Sequence, residues 1–494
     1  VSINGGNLKR STLIVAIVIV VVIVAGIGTY FAAFYHPTSS QKITLTVWGS
    51  GSAGGESAVF NSTLAEFESL YPNITISDSP AINVASQTFI TAAKSGTAPD
   101  VYRDTSDNGG VLYASGLIMN LTPYLNSSYI NSFTPGTRAD WTLNGALYGI
   151  PVNTNGIGLY YNKALLPKNS TGAPIPPSNI YQMIQDARNV SAMGSSYLGL
   201  PYAVGADYGY RYAAFVPMFN GTLFVQVNST VWLPVMNSTQ NIQTMSFLFN
   251  LTKGPNAPDS TSLSTSSGLA PEQAYFETNH AAFILDGPWD QSTYLKYLGS
   301  NLGVEAIPYD NATHEWPRPI WGSVGWVIST PAASGITPSQ RWAALKFVEF
   351  MTNENAQIQY FKQAGDFPSL ISAANAIESN ASLRASDPLI DGWLQQELHT
   401  QIQPNFVQMN YYWSNFHIGA SNLWANSTKL GPHPVVTVMN QIQQGILNSL
   451  QAAGYPTSAA VNDRPQINQN GQETTQASTV QQNFFMAVDS AIKF

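Results

Sequence analysis

A short apolar run, a turn of small residues and a helical spacing follow one another repeatedly in the first third of this chain. Few architectures accommodate that alternation. Ile43 to Val47 reads as a strand. It leads into Trp48-Gly49-Ser50-Gly51-Ser52-Ala53-Gly54-Gly55, and apolar residues then recur at helical spacing from Val59 to Tyr71. The spacing predicts a second strand over Pro72 to Ile76, a helix near Ala85 to Ser95 and a third strand over Ala98 to Tyr102. A polar stretch, Arg103 to Gly110, comes before a helix beginning at Val111. Strands alternating with helices predict an α/β fold with a mostly parallel sheet. Ligands of open α/β sheets bind outside the carboxyl ends of the strands, where the Trp48 to Gly55 turn stands.

Ahead of this pattern, Lys9-Arg10 precedes Leu13 to Tyr35, 23 residues free of charge and dominated by Val and Ile. At 1.5 Å per helical residue such a segment is ~34 Å long, enough to span a bilayer. Residues 1–12 are read as a basic cytoplasmic or signal segment, 13–35 as an anchor helix and 36–41 as a linker, with everything beyond facing outward. Lys9-Arg10-Ser11-Thr12-Leu13 is also similar to an archaeal pilin-like signal, whose peptidase leaves the apolar helix on the mature protein.

Composition narrows the exterior. Charged residues make up only 10% of the chain, against about 25% in ordinary soluble domains. Ser, Thr, Asn, Gln and Tyr supply the polarity instead. Such a surface stays hydrated where carboxylates lose their charge, which fits an acidic exterior and fits a weakly charged secreted protein equally. A formal charge of −8 argues against a nucleic-acid surface. There is no cysteine, so stability has to come from packing alone. Thirteen Asn-x-Ser/Thr sequons, at Asn61, Asn73, Asn120, Asn126, Asn169, Asn189, Asn220, Asn228, Asn237, Asn250, Asn311, Asn380 and Asn426, suggest a glycosylated surface protein. No dinucleotide fingerprint, phosphate loop or zinc-type spacing is present, so no cofactor or metal is expected.

About 450 residues outside the anchor exceed what one core usually holds, and two lobes are expected. Gly156 to Tyr161 reads as a strand, with Val152-Asn153-Thr154-Asn155 crossing between lobes. Ala281 to Leu285 reads as a strand running into Asp286-Gly287-Pro288-Trp289. Thr337-Pro338-Ser339-Gln340 has the residue types of a helix start, with Thr at the N-cap, Pro at N1 and Gln at N3. Gly365 closes the next helix. Val435, Val438, Ile442, Ile446 and Leu450 mark a late amphipathic helix, and 459–494 form a Gln- and Asn-rich tail.

Several segments, in this order and spacing, resemble the extracellular solute-binding proteins of ABC importers, in the maltose-binding-like cluster. They are Ala98-Pro-Asp-Val101 before Tyr113-Ala-Ser-Gly-Leu117, Gly149-Ile-Pro-Val152, Leu159-Tyr-Tyr-Asn-Lys163, Phe283-Ile-Leu-Asp-Gly-Pro-Trp289, Gly303-Val-Glu-Ala-Ile-Pro308, Gly322-Ser-Val-Gly325, Gly365 to Pro368, and Pro404-Asn405 with Gln408-Met409 and Trp413. The resemblance covers nearly all of the chain beyond the anchor and short of the tail. It implies the two-lobed type II periplasmic-binding-protein fold with a ligand cleft between hinged lobes. Lobe one is placed at 42–152 and 282–336, lobe two at 153–281 and 337–458. The implied partners are a small sugar and the permease subunits of a transporter.

Sugars present apolar C–H faces and a rim of hydroxyls, so their sites need aromatic plates and planar hydrogen-bonding groups. By resemblance, Trp289 and Trp413 match positions that stack on sugar and Asp107 matches an acid that accepts from sugar hydroxyls. Trp48, Ser50 and Ser52 line the opening turn. Tyr208, Tyr210 and Arg211 lie in a stretch that supplies lobe-two contacts in relatives, and Gly322, Ser323 and Asp366 complete the candidate set. Relatives carry charged or amide groups where this chain has Ser50 and Ser52. Arg103 to Asp107 lacks the aromatic found in maltose binders, which points to a mono- or disaccharide. Alternatives are another solute in the same fold (an oligosaccharide, peptide, polyol or glycerol phosphate), a structural surface protein, or a surface glycosidase. The last would need paired carboxylates, as Asp104 with Asp107 or Asp286 with Asp290 could supply.

Overall fold

The computed structural model describes residues 41–49, 55–78, 86–202, 208–228, 231–253 and 270–457. The anchor helix at 13–35, Ser50, Ser52 and the tail at 459–494 lie outside the described residues. Among the described residues no helix is long and apolar enough to cross a membrane.

The first strand shows how sequence becomes structure here. In β1 (Ile43–Trp48) Ile43, Leu45 and Val47 are buried while Thr44 and Thr46 are exposed, the period-two alternation of a strand with one face on a core. β2 (Ile74–Asp78) and β3 (Val101–Thr105) flank it, both parallel to it. The third strand runs three residues beyond the expected Tyr102. Arg103 can continue it because its guanidinium is buried against Glu56, 2.6 Å away. β4 (Ile150–Asn155) and β5 (Gly158–Asn162) follow, then β6 (Phe283–Asp286), β7 (Leu302–Glu305), β8 (Ile320–Ile328), β9 (Phe367–Pro368) and β10 (Gln401–Ile402).

Two sheets organise these strands. The larger has seven strands in the order β9-β4-β8-β3-β1-β2, with β10 beside β8. Parallel pairing is confined to β1, β2 and β3 and to the β8–β10 pair. β8 runs antiparallel to both β3 and β4. The smaller sheet, β6-β5-β7, is wholly antiparallel. The mostly parallel expectation therefore holds only for the first three strands and the β8–β10 pair.

Each sheet has its own core. Val59, Phe60, Phe67, Tyr102, Trp141 and Trp326 pack in lobe one; Tyr208, Tyr212, Phe215, Phe416, Trp424 and Ile442 pack in lobe two. Burying each of these side chains contributes roughly 1.5–3 kcal/mol, which suits a chain without disulfides. The chain crosses between lobes at β4, at β8, and again after β9. Ile320 at one end of β8 belongs to the lobe-two core, and Trp326 to Ile328 at the other end belong to lobe one.

The division of segments differs from the expected one. Residues from 282 to about β7 belong to lobe two, because β6 and β7 both pair with β5. The helix Pro338–Met351 belongs to lobe one, where Ala343, Phe347 and Val348 pack under β1 and β8. Local sequence could not decide this, since apolar helices and strands suit either core equally. The helix start itself matches expectation: Thr337 and Gln340 form a reciprocal capping box, and Gly365 ends the helix Glu354–Ala364 in the left-handed conformation at φ +80°.

Candidate functional site

Between the lobes, against the crossing strands, lies a cavity of about 320 Å³. Lobe one contributes Thr105, Ser106 and Asp107, where β3 ends and the chain turns into a helix. Lobe two contributes Tyr210, Trp289 and Trp413. The crossing segments contribute Asn155 from β4, Gly322, Ser323 and Val324 from β8, and Gln403 just beyond β10. The register slips between Val324 and Gly325, a bulge that interrupts the alternation and lets neighbouring β8 residues share one wall.

The floor is a hydrogen-bonded network. Ser323 is buried; its hydroxyl donates to Asp140 Oδ2 at 2.7 Å and accepts from Trp141 Nε1 at 3.1 Å. Its backbone N–H donates to Ser106 Oγ at 3.3 Å, joining β8 to lobe one. Burial raises the Asp140 carboxyl from 3.8 to about 7, against the lowering effect of Ser323 and Ser106. Asn155 Nδ2 donates to Asp366 Oδ1 at 2.8 Å, which fixes its amide at the back of the cavity.

The two tryptophans are set by glycines. A Cβ on Gly287 would lie 2.2 Å from the Trp289 ring, so the ring folds back over a backbone that only glycine leaves open. Trp413 sits in the first turn of the helix Asn410–Asn426, edge-on to Tyr412 at 4.9 Å and 68°. Its indole N–H is buried and completes no hydrogen bond of ordinary geometry, yet it faces the Asp107 carboxylate closely enough to stabilise the charge there. Burial nevertheless raises Asp107 above the ordinary carboxylate range, and burial together with Asp107 raises Asp104 to about 7. Donor and acceptor thus stand together in the wall of the cavity.

Of the expected residues, Asp107, Tyr210, Trp289, Gly322, Ser323 and Trp413 meet on this wall. Four others are placed elsewhere. Tyr208 is buried in the lobe-two core, stacked on Phe416 at 5.7 Å and edge-on to Trp424. Arg211 is buried in an ion pair with Glu272 at 2.7 Å, its guanidinium over the Tyr202 ring. On the helix Tyr208–Phe215, residue 210 faces the cavity while 208 and 211 face the core. Asp366 lies behind the wall, accepting from Asn153 and Asn155; burial and the neighbouring Glu56 raise its pKa well above normal. Trp48 packs on the lobe-one core. Gly49, which follows it at φ +92°, stands so close to β3 that a Cβ there would meet Arg103 at 2.9 Å.

Thr105, Ser106, Asn155, Val324 and Gln403 also line the cavity and were not singled out by sequence. Asn155 was within reach, since it closes the crossing segment Val152 to Asn155. Gln403 carried no local signal. The Asp286–Asp290 pair considered for catalysis has structural partners: Asp286 accepts from Tyr294 Oη and the Gly287 N–H, and Asp290 accepts from Gln273 Nε2 at 3.0 Å. Among the described residues no cluster of three or more His, Cys, Asp or Glu could hold a metal ion. A second crevice, of about 460 Å³, opens on the other face of the crossing strands, beside Thr154 and Trp321.

Two α/β lobes joined by crossing strands, with aromatic plates and hydrogen-bonding groups converging on the gap, have the architecture of a two-lobed binding protein. The comparisons agree. A family model described as bacterial extracellular solute-binding protein matches residues 62–385. The chain belongs to this family of extracellular solute-binding proteins. It is 24% identical over 329 residues to the maltodextrin-binding protein MdxE of Bacillus subtilis, covering 65% of this chain and 71% of that one. Among solved structures, it matches the maltose/maltodextrin-binding domain MalE of Bdellovibrio bacteriovorus bound to maltotriose. That match has a TM-score of 0.70 at 20% identity, covering 83% of this chain and all of the other. The Thermus thermophilus maltotriose-binding protein matches with a TM-score of 0.68 at 19% identity, covering 82% and 100%.

Proposed function

We propose that this chain captures a neutral sugar between its lobes at the cell surface and delivers it to the permease of an ABC importer. The observation that carries the reading is the open pairing of the Trp413 indole N–H with Asp107, on a wall shared with Trp289. An indole ring gives a sugar face an apolar plate, while the indole N–H and the carboxylate suit its hydroxyl rim. Among the described residues the lining holds no Lys or Arg, which disfavours a glycerol phosphate or other anion. Sequence alone leans to one or two rings; the similarity to maltodextrin- and maltotriose-binding proteins favours a short oligosaccharide.

In this reading the helix at 13–35 holds the protein on the outer membrane surface, and some of the thirteen sequon asparagines carry glycans. None of the thirteen is buried. Raised carboxyl groups at Asp104, Asp140 and Glu305 keep their protons well above ordinary carboxylate values, which suits an acidic exterior. Titration calorimetry with glucose, maltose, maltotriose, a short peptide and glycerol phosphate tests the reading. Saturable heat with at least one sugar is expected, with loss of that heat in Trp413→Ala. Binding of peptide or glycerol phosphate but of no sugar rejects it.

A further inference from the structure

The segment that carries Gln403 is a strap between the lobes. Gln401 pairs with Ile320 on β8, and its side-chain amide donates to Ala213 O at 2.9 Å and Arg318 O at 2.7 Å, both in lobe two. Four residues later, Asn405 Nδ2 donates to Ala139 O at 3.1 Å and Asp140 O at 3.0 Å, in lobe one. The strap is held against lobe one so closely that a Cβ on Gly110 would stand 2.3 Å from Asn405 O. Gln403 lies midway between these anchors.

The residue is 6% exposed and lines the cavity, and its Nε2 is buried without a hydrogen-bond partner among the described residues. A buried donor left unpaired is unfavourable, and an acceptor oxygen on a bound solute would relieve it. Gly322 makes room for it: a Cβ there would stand 2.8 Å from Gln403 Oε1. Across the same cavity, Trp413 Nε1 is also buried and faces the Asp107 carboxylate without completing a hydrogen bond of ordinary geometry.

We propose that Gln403 is a specificity-determining residue of the cleft, whose amide N–H₂ donates to an oxygen of the bound solute. Resting on the sugar reading, it names a ligand that offers acceptor oxygens to Gln403 and Trp413 together with a hydroxyl donor for Asp107. A polyhydroxylated neutral molecule does this and a hydrocarbon or an ammonium ion does not. Because the strap is tied to both lobes, a ligand held by Gln403 is held at the hinge as well as on the lobe walls.

The test uses calorimetry with maltotriose and maltose as probes on wild type, Gln403→Met and Gln403→Glu, with melting temperature and near-UV circular dichroism as checks on folding. Methionine keeps the length and removes the donor; an affinity about tenfold weaker, or about 1.4 kcal/mol, is expected at unchanged melting temperature. Glutamate near Asp107 should bind weakly at pH 7 and recover on acidification, when its protonated carboxyl again offers a donor. A purely structural role would not produce that pH-dependent recovery. If wild type binds and both variants match it across pH, the Gln403 assignment is overturned and the sugar reading stands. If wild type binds neither probe nor any other neutral sugar, the sugar reading fails and this inference with it. Should Gln403→Met not fold, the pH course of Gln403→Glu decides alone.

Discussion

Replacing Asp140 by asparagine should flatten the pH dependence of this protein's stability. Asp140 is 3% exposed, beneath the cleft, and its carboxyl holds a proton up to about pH 7, where an ordinary one releases it near 3.8. Between those values the folded state binds more protons than the unfolded chain, so stability falls as pH rises. A single carboxyl with these two values changes stability by roughly 2 kcal/mol between pH 5 and pH 7, higher at pH 5. Asp104 at about 7, Asp186 at about 6 and Glu305 at about 8 act in the same direction. Asp104 and Glu305 are partly exposed, and solvent screening reduces their share. The asparagine keeps an acceptor for Ser323 and has no proton to lose. Urea unfolding of wild type and Asp140→Asn at pH 5, 6 and 7 measures the difference. Wild type should be most stable at pH 5, and the variant should lose roughly 2 kcal/mol of the change. Equal slopes in the two proteins, or wild-type stability that rises toward pH 7, would refute the reasoning.

Three further outcomes follow from single contacts. Gly287→Ala should abolish ligand binding while leaving the melting temperature nearly unchanged, because a Cβ would overlap the partly exposed Trp289 ring and push it from the wall; calorimetry beside a melting curve checks this. Arg211→Met should destabilise the protein by roughly 3–5 kcal/mol by leaving Glu272 buried and uncompensated. Below its melting temperature that variant should still bind ligand with wild-type affinity, since Arg211 points away from the cavity. Thr337→Ala should cost about 1 kcal/mol through loss of the capping box, read as a lower urea midpoint with ligand affinity unchanged.

The sequence by itself determined the things that depend on neighbours along the chain. The alternation of Ile43, Leu45 and Val47 against Thr44 and Thr46 fixes β1 and its buried face, because strand side chains alternate whatever the strand later pairs with. Thr337 to Gln340 fixes a helix start, because its capping bonds close within four residues. The Phe283 to Trp289 segment puts an aromatic just after a strand end, and Trp289 does line the cleft. What only the tertiary structure decided depends on which surfaces meet. Apolar β6 and the helix Pro338–Met351 could have joined either core; strand pairing with β5 and packing under β1 assigned them to opposite lobes. Tyr208, Tyr210 and Arg211 look alike as candidates in sequence, yet one helix turn sends Tyr210 to the cavity and the other two to the core. Gln403 is an unremarkable amide until β10 lies beside β8 and Asn405 reaches lobe one. A binding wall assembled from residues three hundred positions apart has no local signature, because the forces that bring its parts together act between cores and not along the chain.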